Sequence, residues 1–222
     1  EISKFDKVYS SKSMTNAEDP LKEIAAMQHI MSTNNCDNVL TMKEAIVDET
    51  HLHIIMPYCK GGELFDHASQ ADRSFNEPQV KSFMKQIVTG LKNLHDAGIC
   101  HRDMSLENVL LDEDGSCRII DFGLCLRVPQ HHGYIDSSPL VKAQGVCGKL
   151  FYMAPEVFEN KDFNPYAIDV WSCGVMMFML LTSSPPCDRP IISDTGFRCI
   201  ATGNLWRVLE AWGFSVSPDA LD

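Results

Sequence analysis

The stretch HRDMSLENVLLDEDGSCRIIDFG, residues 101–123, places the tightest constraint on how this 222-residue chain can fold. Two short apolar runs, 109–111 and 117–120, flank the turn sequence DEDG, a pattern that predicts a β-hairpin. Polar residues crowd both ends of it. His101, Arg102, Asp103, Ser105, Glu107 and Asn108 precede the first run, and Asp121 follows the second. Asp103 and Asn108 stand five residues apart, and the hairpin lies between that pair and Asp121.

Around the hairpin the periodicity is mostly helical. In residues 76–97, Val80, Phe83, Ile87, Leu91 and Leu94 recur at helical spacing, Asn76 can cap the start and Gly98 ends the run. Asp19 and Pro20, followed by Leu21, Ile24, Met27 and Met31, predict a capped helix with one apolar face. Residues 51–56 are strand-like and stop at Pro57, a connector. Residues 167–181 read as a buried helix, and Leu205, Val208, Leu209 and Trp212 mark one more. Residues 124–149 lack periodicity and mix Pro, Gly, Ser and His, so a long functional loop is expected there. The order is α+β, a small helix-and-strand region and then a mainly helical one, without internal repeats.

Composition bounds the partners. The chain is long enough for one large domain or two lobes, and an apolar fraction of 45% with 22% charged residues is ordinary for a soluble globular protein. A net charge of -11 argues against nucleic acid or an anionic membrane as the main partner; a solvated acidic surface is the plain reading and attraction for basic peptides the sharper one. The nine cysteines form no CxxC pair, which fits reduced cytosolic thiols better than a disulfide framework or zinc site. His131 and His132 lie near Cys125 and Cys147, but at no metal-ligand spacing. A cytoplasmic location, with the nucleus open as well, is expected. No signal peptide is visible, and the apolar run 170–181 is too short to span a bilayer.

HRD at 101–103, DFG at 121–123, YMAPE at 152–156 and AIDVWSCGVMMFMLLTSSPP at 167–186 follow one another along the chain. Together they resemble the protein kinase family over essentially the whole sequence. Any one motif is weak; four in this order, with a hairpin between the first two, are specific. GGELF, FMLLTSSPP and GNLWRVLEAWG resemble the calcium/calmodulin-dependent and related kinases. The resemblance implies a two-lobed fold: a partial, small β-rich lobe over residues 1–56, a hinge at 57–62, and a mainly α-helical lobe over 63–222.

It also implies ATP and Mg2+ as cofactors. Phosphoryl transfer needs an acceptor hydroxyl held in line and metal ions on the phosphate oxygens. By resemblance, Asp103 orients the hydroxyl and accepts its proton, while Asn108 and Asp121 offer the hard oxygens that suit magnesium. The plainer alternative makes Asp103 a turn cap and Asp121 a strand-end cap. Met56 would be the gatekeeper beside the adenine, and the Pro57 carbonyl with the Cys59 N–H and carbonyl would read its edge. Glu63 would face the ribose and Leu110 pack beneath the ring. Glu23, in LKEIAAMQHI, would pair with the ATP-binding lysine. Met27, Met42, Phe122 and His101 are expected to stack as a column across the lobes, with Asp169 bracing the HRD backbone.

The chain departs from the family pattern in places. No GxGxxG precedes Glu23, and Lys4, nineteen residues before it, is flanked by Glu1 and Ser3 rather than by apolar strand residues. The expectation is a kinase domain clipped at both ends, with its lysine upstream of Glu1 and the arginine partner of Glu156 also missing. Ser105 stands where serine/threonine kinases carry a lysine, and Lys149 where they carry a threonine. A reciprocal swap is expected, in which Lys149 supplies the charge near the phosphate and Ser105 the hydroxyl. Two unrelated changes in a weakened enzyme are the alternative. Arg102 implies switching by phosphorylation of the loop by an upstream kinase, at Ser137 or Ser138 ahead of Tyr134, with an unmodified exposed loop as the alternative. Glu63 and Glu107 imply a substrate with basic residues upstream of its phosphoacceptor.

The reading is a protein kinase that transfers the ATP γ-phosphoryl group to a Ser/Thr hydroxyl of a protein. One rival is a pseudokinase serving as a binding or scaffolding module, which has no chemical need for Asp103, Asn108 and Asp121 together. The other is a small-molecule kinase of the aminoglycoside type, against which the APE motif and the long loop before it argue.

Overall fold

A computed structural model describes residues 20–33, 35–70, 75–128 and 140–221. Its first part holds helix α1 (Pro20–Ser32) and the antiparallel pair β1 (Glu44–Val47) and β2 (Leu52–Ile55). After a connector come β3 (Gly62–Glu63), α2 (Leu64–Ala68), α3 (Glu77–Asp96), β4 (Ile99–Cys100), the hairpin strands β5 (Val109–Leu111) and β6 (Cys117–Ile119), and β7 (Leu126–Arg127). Helices α4 (Pro155–Phe158), α5 (Pro165–Thr182), α6 (Thr195–Ala201), α7 (Leu205–Ala211) and α8 (Pro218–Leu221) complete it. A small strand-bearing part followed by a mainly helical one is the α+β, two-lobed arrangement expected from the motifs.

The hairpin forms where its turn chemistry predicts. Gly115 takes φ 80°, which a side chain would resist, and its N–H donates to the Asp112 carbonyl at 3.0 Å. β5 pairs with β6 through Val109↔Ile119, Leu110↔Arg118 and Leu111↔Cys117, and β3 adds to the other edge of β5 through Gly62↔Leu111 and Glu63↔Leu110. Residues just after α1 run beside β6: the Ile119 N–H donates to the Asn38 carbonyl and the Leu40 N–H to the Ile119 carbonyl, both at 2.9 Å. The hairpin is therefore clamped between the connector and the segment that follows α1.

Helix α3 is stapled at its start by a capping box. The Asn76 side chain accepts from the Gln79 N–H, and the Gln79 side chain accepts from the Asn76 N–H, each at 3.0 Å. Val80, Ile87, Leu91 and Leu94 form its buried face, with Phe83 half-buried. Helix α5 is apolar nearly all round and, by length and composition, could cross a bilayer, but 61% of it is buried inside the fold. It is a core helix, capped by Asn164, whose side chain accepts from the Tyr166 and Ala167 N–H groups.

Three expectations change. The buried face of α1 consists of Ile24, Ala26, Met27 and Ile30, whereas Leu21 is 66% exposed and Met31 39%. Both lie near helix ends, beyond what the core covers. Trp212 lies just past α7 rather than within it and packs edge-on against Phe178 at 5.7 Å. The 124–149 stretch is not wholly irregular, since β7 pairs with β4 and Val141 bridges to Phe163. Asp19, Lys4, His131 and His132 lie outside the described residues.

Gly90 lets the clamp close. A Cβ there would sit 2.7 Å from the Asn38 carbonyl oxygen and 2.9 Å from Ile119 Cδ1. Alanine ordinarily gains a helix interior about 0.5–1 kcal/mol over glycine. Here overpacking against backbone costs about 1–3 kcal/mol, so Gly90→Ala should destabilise the fold, and a denaturant midpoint that rises would contradict this packing.

Candidate active site

The site is built on the loop before β5. Asp103 is held by Asn108, Lys149 and His101. Asn108 Nδ2 donates to its carbonyl at 2.7 Å and to Oδ2 at 2.9 Å; the Lys149 N–H reaches Oδ1 at 3.1 Å and Lys149 Nζ reaches Oδ2 at 3.2 Å. Its own N–H donates to His101 Nδ1 at 3.2 Å. The other ring nitrogen of His101, Nε2, faces the Ile120 carbonyl at 2.9 Å, so Nε2 carries the proton and Nδ1 accepts. The carboxylate is thus fixed in orientation, with 15% of its side chain exposed.

Asp169, near the start of α5, holds the loop from behind. Its Oδ2 accepts the His101 N–H at 2.8 Å and faces His95 Nε2 at 2.9 Å, and its Oδ1 accepts the Arg102 N–H at 2.8 Å. This carboxylate is 1% exposed. Arg102 takes φ 68° and Asp121 φ 69°, left-handed conformations that a side chain resists and that cluster at functional sites.

Asn108 and Asp121 are joined across the hairpin, where the Ile120 N–H donates to the Asn108 carbonyl at 2.9 Å. Asn108 spends its amide hydrogens on Asp103, leaving the amide oxygen as an acceptor, and Asp121 Oδ1 accepts the Gly123 N–H at 3.2 Å. Among the described residues no three His, Cys, Asp or Glu side chains gather as a metal site. Two hard oxygens on a hairpin fit a divalent ion that completes its shell from phosphate and water. Burial pushes the Cys117 and Cys173 thiols up to about 12, and the Cys59 and Cys125 thiols to about 11, so these sulfurs stay protonated and are poor ligands.

The remaining sequence candidates fall into place unevenly. Met27, Met42 and Phe122 belong to one buried cluster, and the His101 ring meets Phe122 edge-on at 5.5 Å. In the connector, Met56 is 44% exposed, Pro57 exposed and Cys59 buried, its carbonyl 3.4 Å from the Gly62 N–H. Strand pairing sets Glu63 opposite half-buried Leu110. Glu23 is half-buried in the first turn of α1 and lies within electrostatic reach of Cys125. Glu156 opens α4, and no described residue pairs with its carboxylate. Ser137, Ser138 and Tyr134 lie outside the described residues.

Arg102 is already engaged. Its Nη1 donates to Gln144 Oε1 at 3.1 Å and Nη2 to Cys147 Sγ at 2.8 Å, with the guanidinium carbon 5.8 Å from the Phe163 ring centroid. Glu107 likewise accepts the Tyr152 hydroxyl at 3.0 Å, and burial, reinforced by that carboxylate, pushes the Tyr152 phenol well above its ordinary pKa. In the sequence, Gln144 and His95 carry no signal, and Cys147 stands out only as a thiol at no metal-ligand spacing. Tyr152 is the one that a local signal marked, as the first residue of YMAPE; the others act across long separations.

Two carboxylates, an amide and a lysine from a distant loop thus stand at the two ends of one hairpin, with Asp169 bracing the loop from behind. Residues 3–207 match the protein kinase domain family, and the chain belongs to it. Family membership implies ATP, a divalent metal and a protein substrate. The chain is 38% identical over 158 residues to serine/threonine-protein kinase SRK2J of Arabidopsis thaliana, covering 70% of this chain and 44% of that protein. It is 39% identical over 156 residues to serine/threonine-protein kinase SAPK7 of Oryza sativa subsp. japonica, covering 69% and 40%, and 35% identical over 188 residues to serine/threonine-protein kinase SRK2G of Arabidopsis thaliana, covering 76% and 50%. The chain thus spans half or less of the length of these relatives.

Proposed function

We propose that this chain is the catalytic part of a protein serine/threonine kinase that moves the γ-phosphoryl group of ATP to a Ser or Thr hydroxyl. The observation that carries this reading is the fixing of Asp103 by Asn108 and Lys149 on the open side of a loop braced by Asp169. Asp103 takes the hydroxyl proton as the acceptor oxygen bonds to the γ-phosphorus. The bond from that phosphorus to the bridging oxygen breaks, and its electron pair leaves with ADP. Asn108 and Asp121 would hold Mg2+, which offsets charge on the phosphate oxygens. Met56 to Cys59 and Leu110 would line the adenine, Glu63 would face the ribose, and Glu23 would anchor the ATP-binding lysine.

The net charge of -11 and exposed Glu63 favour substrates with basic residues before the phosphoacceptor. Glu107 would contribute while sharing its carboxylate with Tyr152. The test uses full-length protein with ATP, Mg2+ and peptides differing in acceptor and in upstream arginine. Transfer to Ser and Thr, faster with upstream arginine, is expected. Asp121→Asn should lower it about 10²-fold, as loss of roughly 3 kcal/mol of metal-borne charge stabilisation implies. Nucleotide binding without transfer would favour the scaffolding alternative, and equal rates with and without arginine would remove the basic preference.

A further inference from the structure

Resting on the kinase reading, one question remains: which cation meets the phosphoryl group as it passes Asp103? Arg102 is adjacent in sequence, but its guanidinium points toward Gln144, Cys147 and the Phe163 ring. Among the described residues, the only lysine or arginine forming an ion pair with Asp103 is Lys149. Its Nζ lies 3.2 Å from Asp103 Oδ2 and 2.9 Å from Ser105 Oγ, while its backbone N–H holds Oδ1 at 3.1 Å. Ser105 is fully buried, so its hydroxyl is a fixed acceptor. The Lys149 side chain is 36% exposed, so the ammonium is oriented from within yet open to an incoming group.

The close approach depends on Gly148. It takes φ 90°, and a Cβ there would lie 2.9 Å from the Arg102 carbonyl oxygen and 3.4 Å from Asp103 Oδ1. The cleft beside these groups is lined by Asp103, Lys149 and Tyr152 among others.

We propose that Lys149 is a catalytic residue whose ammonium stabilises the transferring phosphoryl group, that Ser105 positions it, and that docking of the 140–149 segment, rather than the catalytic loop alone, completes the site. Lys149 forms no covalent bond and keeps its proton throughout. The hydroxyl proton goes to Asp103 and the electron pair of the broken bond goes to ADP. Because Lys149 and Asp103 are 46 residues apart, whatever displaces the segment removes the cation as well.

The experiment compares the full-length protein with Lys149→Ala, Lys149→Arg, and the double exchange Ser105→Lys with Lys149→Thr. Thermal midpoints serve as a check on folding. Loss of one preorganised donor typically lowers kcat about 10²–10³-fold. That loss is expected for Lys149→Ala, with the KM for ATP and the affinity for ADP little changed and the affinity for ADP with a planar metal fluoride reduced in step with kcat. Lys149→Arg should recover part of the loss, and the exchange most of it, by returning a cation beside Asp103 from position 105, whose hydroxyl lies 2.9 Å from the present ammonium. Gly148→Ala should then cost the unmodified protein more turnover than the exchanged one. Turnover unmoved by Lys149→Ala, or a loss that the exchange leaves unrecovered, overturns the assignment. Equal sensitivity to Gly148→Ala in both backgrounds overturns the role of the segment. If Asp103→Asn abolishes transfer while Lys149→Ala leaves it intact, the kinase reading stands and the lysine alone is refuted; no transfer by the unmodified protein overturns both.

Discussion

Asp103→Asn is expected to lower kcat by about 10²–10⁴-fold, the range for loss of a positioned general base. The replacement is nearly the same size and can still accept the Lys149 N–H that now reaches Oδ1 at 3.1 Å. Its second atom changes from acceptor to donor, and both groups facing Oδ2, Asn108 Nδ2 at 2.9 Å and Lys149 Nζ at 3.2 Å, are donors too. Three donors then compete where a carboxylate had joined two. The amide cannot take the hydroxyl proton, and the repulsion turns it away from the acceptor. Nucleotide affinity should change little, because Asp121 and the residues proposed to line the adenine, Met56 to Cys59, are untouched. The check is single-turnover phosphotransfer alongside ADP binding. A variant that keeps turnover within a few-fold would mean that Asp103 only shapes the loop.

How much of this was legible in sequence depends on how local each signal is. The 109–119 hairpin and α3 announce themselves, because turn chemistry at Gly115 and the Asn76–Gln79 box act over a few residues. The meeting of Lys149 with Asp103 and Ser105 joins residues 46 and 44 apart, yet it left a trace: a serine and a lysine each standing where the other kind of group is usual. The engagement of Arg102 by Gln144 and Cys147 left none, since neither partner belongs to a motif. The approach of Asn38 to Gly90 was equally hidden, because a helical glycine carries no mark of what packs on it. Leu21 and Met31 misled for the opposite reason. They share the helical period of α1, but period alone does not say how far the core extends along a helix.

The second large effect is expected at Asp169, which touches no substrate. Asp169→Ala would strip the acceptors from the His101 and Arg102 N–H groups, both now satisfied at 2.8 Å, and from His95. A buried donor left without a partner costs about 1–3 kcal/mol, so the two amides together cost about 2–6 kcal/mol, a large share of an ordinary domain's stability. At about 2–4 °C per kcal/mol for a chain of this size, the thermal midpoint should fall on the order of 10 °C. Asp169→Asn should fall between, since the amide keeps one acceptor and turns a donor toward the remaining N–H groups. The effect extends to chemistry through Arg102. Its φ of 68° is a strained conformation for a side-chain-bearing residue, and the Asp169 bond to its N–H helps to hold it there. Once released, Arg102 can relax toward negative φ and swing the next residue, Asp103, off line. Turnover measured per folded molecule at low temperature should therefore drop as well. A lower midpoint with unchanged turnover would separate the two roles, leaving Asp169 as a prop for stability and Asn108 and Lys149 as sufficient to aim the acid.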